Sequence, residues 1–184
     1  MWNRTYEFSF FVDPIQQRFG YNDSGLGVAV DESDNIYFVG TYNDSVDWFV
    51  MKINNTGHSL WNKTYNPGST DAATSVVVDN SGKIIVAGKI NSNEWHIMKI
   101  DSDGISIWNK TFDVSGGGSL NQPEDIKVDI YNNIYLYGTS NVNDMGFMKL
   151  DSNGVNLINK TYNIGGVDTG KSLVLDSSSN IYLI

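Results

Sequence analysis

The residues best suited to chemistry are carboxylates and amides that precede or begin three similar apolar segments. The segments are DWFVMKI at 47–53, EWHIMKI at 94–100 and DMGFMKL at 144–150. Carboxylate and amide oxygens bind hard cations such as calcium, and beside an aromatic ring they bind sugar hydroxyls. We therefore predict a binding rim made of Asp44, Asp47, Trp48, Asn91, Asn93, Glu94, Trp95, Asn141, Asn143 and Asp144. A solvated surface without a ligand is the alternative.

Other motifs give little support for catalysis. His58 falls in a predicted turn and His96 in a predicted strand, so the two do not share a position from which both could hold a metal. A GxSxG elbow, an HExxH pair and a P-loop are all absent from the sequence. The stretch DSDG at 101–104 lacks the other ligands of a calcium loop, and we predict a hairpin turn there. The sequence predicts no catalytic residue, no cofactor and no dedicated metal centre.

Seven asparagines stand in Asn-x-Ser/Thr sequons, which are acceptors for N-glycosylation. They are Asn3, Asn22, Asn43, Asn54, Asn62, Asn109 and Asn159. Four of them share one position of a repeat, so the repeat explains part of their number. In a secreted protein they could be glycosylated, or Asn and Thr could merely suit an exposed strand edge.

Composition and charge exclude several partners. The chain has 12 basic and 21 acidic residues, and its net charge of −9 disfavours a polyanion such as nucleic acid. No apolar run approaches the roughly 18 residues of a transmembrane helix, and the first residues lack the pattern of a secretory signal. Cysteine is absent, which excludes disulfides and thiolate metal sites. We predict no nucleic-acid partner and no insertion into a membrane.

A repeat organises the whole chain. The aspartates that end VAVD, VVVD, IKVD and LVLD are spaced by 48, 50 and 47 residues; we call them the marker aspartates, Asp31, Asp79, Asp129 and Asp176. Nine residues after each of the first three stands a glycine: Gly40, Gly88 and Gly138. Each unit contains four short apolar runs, joined by turns rich in Asp, Asn, Ser and Gly. Each unit is therefore predicted to be an antiparallel meander of four strands.

The third and fourth strands indicate how the units pack. The third is apolar on both faces, so each unit must stack against others on both sides. The fourth is written WNRTY at 2–6, WNKTY at 61–65, WNKTF at 108–112 and INKTY at 158–162. We predict an all-β fold, a β-propeller built of four-stranded antiparallel blades. A β-sandwich is the competing architecture, but it does not require such even spacing.

The combined pattern also resembles a known family. The residues DWFVMKI, LWNKTY, SVVVD and SGKIIVAGK, with their spacing, are similar to the β-propeller repeats of bacterial and archaeal surface proteins called SBBP repeats. The resemblance covers nearly the whole chain. It implies a propeller at the cell surface or outside the cell, but no particular activity, because propellers serve in binding, scaffolding and catalysis alike.

We predict one propeller domain over 1–184, with about three and a half blades. Its units are an outer strand and insertion at 2–24, blades at 25–65, 66–112 and 113–162, and an incomplete blade at 163–184. Three interpretations stay open for the chain. It is a segment of a longer propeller, a four-bladed ring completed by its N-terminal strand, or a subunit whose strands complete a neighbour.

For function, we expect a non-catalytic extracellular module that serves as a scaffold, in adhesion or in assembly, including fibre formation. Its expected partners are a second copy or a neighbouring subunit, bound through the N-terminal strand and the incomplete blade, and a glycan. The alternative is a carbohydrate-binding or carbohydrate-active propeller that uses rim acids. Catalytic acids would depart from the repeat, and Asp13, Glu124 and Asp125 are the few that do. A third possibility for function is that the chain is an excerpt of a larger protein and has no separate function of its own.

Overall fold

A computed structural model describes residues 24–42, 47–91, 94–113, 122–140, 144–166 and 168–184. Within these ranges the chain forms fourteen β-strands and no helix. None of the described residues belongs to a helix that is long and apolar enough to cross a membrane. The predicted N-terminal unit at 2–24 lies outside the described residues, except for Ser24.

Three four-stranded antiparallel sheets follow one another along the chain, and we call them blades 1, 2 and 3. Blade 1 contains β1 (Ser24–Val30), β2 (Ile36–Tyr42), β3 (Asp47–Ile53) and β4 (Ser59–Tyr65). Blade 2 contains β5 (Ala72–Val78), β6 (Ile84–Ile90), β7 (Glu94–Ile100) and β8 (Ser106–Phe112). Blade 3 contains β9 (Gln122–Val128), β10 (Ile134–Ser140), β11 (Asp144–Leu150) and β12 (Asn156–Tyr162). A two-stranded sheet follows, made of β13 (Leu173–Leu175) and β14 (Ile181–Leu183).

The first strands of successive sheets lie side by side. Strand β1 contacts β5, β5 contacts β9, and β9 contacts β13, while the strand order within each blade runs outward from the first to the fourth. Strands β1 and β5 approach closely: a Cβ added to Gly27 would lie only 3.1 Å from the Cα of Ser75. The sheets therefore fan out from a common axis, with their fourth strands outermost.

Apolar layers fill the spaces between neighbouring sheets. Trp48 and Val50 of blade 1 share a cluster with Val86 and Met98 of blade 2. Similar clusters lie between blades 2 and 3 and between blade 3 and the last two strands. The opposite face of β3 is buried as well, in a separate cluster that contains Phe49. Because successive residues of a strand point to opposite faces, each third strand contributes to two layers, as predicted.

The marker aspartates close the turn between the first two strands of each sheet. In blade 2 the Asp79 carboxylate accepts hydrogen bonds from the backbone N–H groups of Ser81 at 2.8 Å and Lys83 at 2.9 Å. The same pair of bonds recurs at Asp31, Asp129 and Asp176. This local bonding explains why the aspartate repeats.

The second oxygen of the marker aspartate has a different partner in different blades. Tyr37 and Tyr135 donate their hydroxyls to Asp31 and Asp129, both at 3.0 Å. Blade 2 has Ile85 at the tyrosine position, and there Lys99 forms a buried ion pair with Asp79 at 2.7 Å. Burial opposes ionisation of Asp79, but Lys99 and the turn donors outweigh it and lower the pKa of the carboxyl.

The recurring glycines are required by a bulge in the first strand. In blade 2 the pairing of β5 with β6 shifts register between Ala73 and Ser75. The bulge directs the carbonyl oxygen of Ala72 onto Gly88, where a Cβ would overlap it. Gly40 and Gly138 face the carbonyl oxygens of Ser24 and Gln122 in the same way. Since a backbone atom cannot move aside without breaking the ladder, only glycine fits.

We expect Gly88→Ala to lower the free energy of unfolding by about 2–3 kcal/mol, because the added methyl group meets backbone and the Trp48 ring. Gly25→Ala is the matched control, since no atom of the described residues lies within 4 Å of a Cβ at that position. The control should change stability by no more than about 0.5 kcal/mol. Urea unfolding followed by circular dichroism measures both, and equal losses in the two variants would contradict this account.

Candidate functional site

The predicted rim lies where second strands end and third strands begin. Four of its residues, Asp44, Asn93, Asn141 and Asn143, lie outside the described residues. The described polar members each belong to one blade: Asp47 to blade 1, Asn91 and Glu94 to blade 2, and Asp144 to blade 3. Only Asn91 and Glu94 are joined directly, by a hydrogen bond of 3.0 Å.

Hydrogen bonds tie two of these rim residues to neighbouring segments of the chain. The Asn91 side-chain oxygen accepts from the Ser69 backbone at 3.2 Å, which ties the blade 2 loop to the connection from blade 1. Asn163 donates to Asp144 at 2.8 Å, at the end of blade 3. Among the described residues, no group of three or more His, Asp or Glu side chains is placed to hold a metal ion. The described rim therefore does not converge on one centre.

The two rim tryptophans serve packing. Trp48 and Trp95 are fully buried, and their indole N–H groups donate across blade boundaries to the carbonyls of Lys89 at 3.3 Å and Thr139 at 3.2 Å. Neither ring offers a face to a ligand, contrary to the prediction. Large aromatic surfaces gain more from burial between apolar sheets than from exposure at a rim.

Asp71 is a buried acid that the sequence pattern does not single out. It precedes β5 and is fully buried, and one carboxylate oxygen accepts from the Gly68 N–H at 2.8 Å. Its other oxygen and Oδ1 of Asp47 have no hydrogen-bond partner within the described part of the chain. Burial raises the pKa of both carboxyls, and the charge of Asp47 raises that of Asp71 further.

The sequence does contain a signal for Asp71, because an aspartate recurs at the same position of another unit. It stands eight residues before the marker aspartate Asp79, and Asp168 stands eight before Asp176. Asp168 is also buried and accepts from the Ile164 N–H at 2.8 Å. Both carboxyls thus fasten the connection between two sheets.

His96 is a neutral core histidine. Its ring lies edge-on to Trp48 at 5.4 Å, and its Nδ1 is 2.9 Å from the Thr111 hydroxyl. Burial lowers the pKa of His96 to about 4. His58 is exposed in the turn after β3, so the predicted positions of the two histidines, one in a turn and one in a strand, are confirmed.

The WNKTY motif binds the neighbouring blade. Trp61, Lys63 and Tyr65 point to the same face of β4 and donate to three successive carbonyls, those of Ser102 at 3.0 Å, Asp103 at 2.5 Å and Gly104 at 2.7 Å. We call these three positions of a fourth strand the clasp. The bound stretch DSDG is a hairpin turn with Gly104 at φ +72°, which confirms the predicted turn.

The clasp recurs in blade 2 and lies open in blade 3. Trp108 and Lys110 pack against Gly154, in the turn between β11 and β12. The equivalent residues of β12 are exposed: Ile158, Lys160 and Tyr162.

The described sequons of the fourth strands point away from the clasp. Asn62, Asn109 and Asn159 are exposed on the opposite face of their strands. Asn54 lies in the turn after β3, where its side-chain oxygen accepts from the His58 N–H at 2.9 Å. Asn3, Asn22 and Asn43 are outside the described residues, and glycosylation stays a prediction at all seven.

A cavity of about 430 Å³ with mixed polar and apolar lining opens between the first strands of blades 1 to 3, at the same end as the rim loops. We call it the axial mouth, and its described lining is Ser24, Leu26, Thr41, Thr70, Ala72, Thr74, Lys89, Gln122 and Glu124. Glu124 Oε1 accepts from Gln122 at 2.8 Å and forms an ion pair with Lys171 at 3.3 Å. Of this lining, sequence reasoning noticed only Glu124, as an acid that departs from the repeat.

The sequence matches no protein-family profile and no curated protein. Among solved structures it is similar to a protein of unknown function from Bacteroides caccae, with 17% identity, 86% of this chain and 52% of that chain covered, and a TM-score of 0.57. It is also similar to a protein from Lactobacillus plantarum, with 15% identity, 86% and 48% covered, and a TM-score of 0.55. This chain spans about half the length of these two proteins.

A gluconolactonase from Xanthomonas campestris matches with 12% identity over 86% of this chain and 68% of that chain, but its TM-score of 0.37 supports no argument. The two stronger likenesses, at identities below 20%, show the fold alone. Together with the stacked meanders they confirm the predicted fold class, an all-β propeller of four-stranded antiparallel blades.

Acidification should weaken the fold through His96. Between its ordinary pKa of 6.5 and the folded value of about 4, the unfolded chain binds a proton that the folded chain does not. The free energy of unfolding therefore falls as the pH drops through this window, by up to about 3 kcal/mol. Blade 1 has Phe49 at this position, so His96→Phe should remove this contribution. Parallel pH profiles of wild type and variant from pH 7 to 4, measured by urea unfolding, would contradict the assignment.

Proposed function

We propose that this chain is a non-catalytic propeller module that serves as a scaffold, in adhesion or in assembly, at a cell surface. The observation that carries the proposal is the structural use of the recurring polar residues. Recurring acids close turns or fasten connections, as Asp79 and Asp71 do in blade 2. The recurring Trp and Lys of the fourth strands contact the turn of the next blade. Residues employed in this way build the propeller rather than turn over a substrate.

The described acids give little support to a carbohydrate-active enzyme. Such an enzyme needs two carboxyls about 5–10 Å apart in an open pocket, one with a raised pKa. Asp47 and Asp71 both have raised pKa values, but Asp71 is fully buried and cannot contact a substrate. Glu124 faces a cavity, but Gln122 and Lys171 bind it.

The remaining acids that depart from the repeat do not change this balance. Asp125 forms an ion pair with Lys127 at 2.5 Å and accepts from the Leu173 N–H at 3.0 Å. It therefore fastens β13 to blade 3. Asp13 lies outside the described residues.

A place outside the cell is part of the proposal. It is supported by the resemblance to SBBP-type repeats and by the exposure of Asn62, Asn109 and Asn159 on the outermost strands. We expect peptides that contain Asn62, Asn109 or Asn159, taken from the protein of the native source, to exceed their sequence masses by whole glycans. Mass spectrometry of these peptides tests this, and Asn→Gln at a position should remove the excess there. Unmodified peptides would remove this support.

The open clasp of blade 3 supports a role in assembly. Ile158 and Tyr162 are 37% and 39% exposed, and a hollow of about 390 Å³ beside them is lined by Phe147, Ile181 and Leu183 among others. In blade 1 the equivalent positions bind backbone carbonyls of a turn, and carbonyls are common to every turn of this repeat. The surface therefore fits a turn between third and fourth strands of this repeat, and we propose that a neighbouring copy of the chain supplies it when no following unit does.

We expect wild-type protein to associate as its concentration rises. Tyr162→Asp should weaken association by about tenfold or more, because a tyrosine that becomes buried on association is a typical interface anchor. Multi-angle light scattering over a concentration series measures the mass. Tyr131→Asp is the matched control, since Tyr131 is 73% exposed in the turn after β9 and lies outside the clasp. A wild-type protein that stays monomeric throughout would rule out the assembly role.

A further inference from the structure

The axial mouth is where the repeat ceases to repeat. The residue five places before each marker aspartate is Leu26, Thr74, Glu124 and Lys171 in successive units: an aliphatic side chain, a hydroxyl, an acid and a base. The first three line the mouth, and Lys171 reaches it through Glu124. The marker aspartates and the glycines nine residues after them keep one residue type, whereas this register has four. Departure from a structural rule at a concave surface indicates a specific role.

Lys89 supplies an unpaired charge to the mouth. It follows Gly88 at the end of β6, where blades 1 and 3 have Thr41 and Thr139. Its side chain is half-buried, and among the described residues its ammonium group has no hydrogen-bond or ion-pair partner. The ammonium group does not belong to the buried polar atoms without a partner, so it stays open to solvent. An anionic ligand that enters the mouth can therefore reach it.

The acid in the mouth does not cancel this charge. Glu124 is already bound by Lys171 at 3.3 Å and by the Gln122 amide at 2.8 Å. Among the described residues that line or touch the mouth, Lys89, Glu124 and Lys171 sum to one net positive charge. The chain as a whole carries −9, so this charge is local and does not reflect a basic protein. At about 0.15 M salt the Debye length is about 8 Å, which screens the distant acids more than the bound group.

The rest of the lining suits a hydroxylated molecule. Ser24, Thr41 and Thr70 contribute hydroxyls, each able to donate and to accept a hydrogen bond. Leu26 and Ala72 add apolar surface, on which the carbon face of a sugar can rest. The volume of about 430 Å³ lies within the usual range of small-molecule sites.

We propose that the axial mouth binds an acidic sugar, with its carboxylate on Lys89 Nζ and its hydroxyls on the Ser24, Thr41 and Gln122 side chains. The site differs from the rim that the sequence predicts, and it needs no catalytic residue. The inference goes beyond the scaffold role and does not rest on it. The light-scattering test reports on blade 3, so either proposal can fail without the other.

Calorimetric titration of the whole chain with galacturonate, galactose and acetate tests the proposal. Galacturonate should bind, and galactose and acetate should each bind about tenfold or more weakly, because each lacks one half of the recognised chemistry. Lys89→Gln should weaken galacturonate binding by about tenfold or more, and Lys89→Arg should retain most of it. Lys83→Gln is the matched control, because Lys83 lies in the turn after β5, at the opposite end of that strand from Ala72, and the same charge is lost away from the mouth. Its affinity should equal that of the wild type.

Each other outcome overturns the proposal. Equal binding of galactose and galacturonate would exclude a role for Lys89, and equal binding of acetate would reduce the mouth to an anion site. No heat with galacturonate at millimolar concentration would leave the mouth without this ligand. Ser24→Ala alters an exposed residue and should not affect folding, so it provides a second variant if Lys89→Gln proves unstable. It should weaken galacturonate binding about threefold, and an unchanged affinity would also count against the proposal.

Discussion

Each blade depends on the one that follows, because a fourth strand binds a turn of the next blade while a third strand shares its core. Trp61, Lys63 and Tyr65 hold three successive carbonyls about 40 residues away along the chain. The rings of Trp48 and Trp95 are buried between neighbouring sheets. A single four-stranded meander would expose an apolar face on either side, so its stability comes from its neighbours. The even spacing of the repeat follows from this requirement.

The repeat tolerates substitution where a contact can be replaced. Asp31 and Asp129 bind a tyrosine hydroxyl, whereas Asp79 has Lys99 in its place because blade 2 carries Ile85. Where the neighbour is backbone, no replacement exists. Gly40, Gly88 and Gly138 all face a carbonyl oxygen of a bulged strand, and none of the three varies.

The residues of the propeller fall into two groups: those that build the fold and those that are available for function. Most described acids and fourth-strand residues belong to the first group, because each is bound by a turn, a loop or the next blade. The axial mouth belongs to the second, since its residues differ from blade to blade and Lys89 lacks a partner within the described ranges. The clasp of β12 has features of both groups, because the positions that bind a turn in blade 1 are exposed in blade 3.

The sequence by itself determined the strands, their turns and their stacking. These follow from side chains that alternate between the two faces of a strand, and from glycine and aspartate at fixed intervals. Only the tertiary structure decided which polar groups have partners. Asn91 and Asp144 looked free as sequence, but neighbouring loops bind them. Lys89 looked ordinary, yet the fold places it in a cavity with Ser24 and Gln122 of other blades. In these examples burial and pairing depend on residues from 19 to 65 positions away along the chain, and no local pattern contains that information.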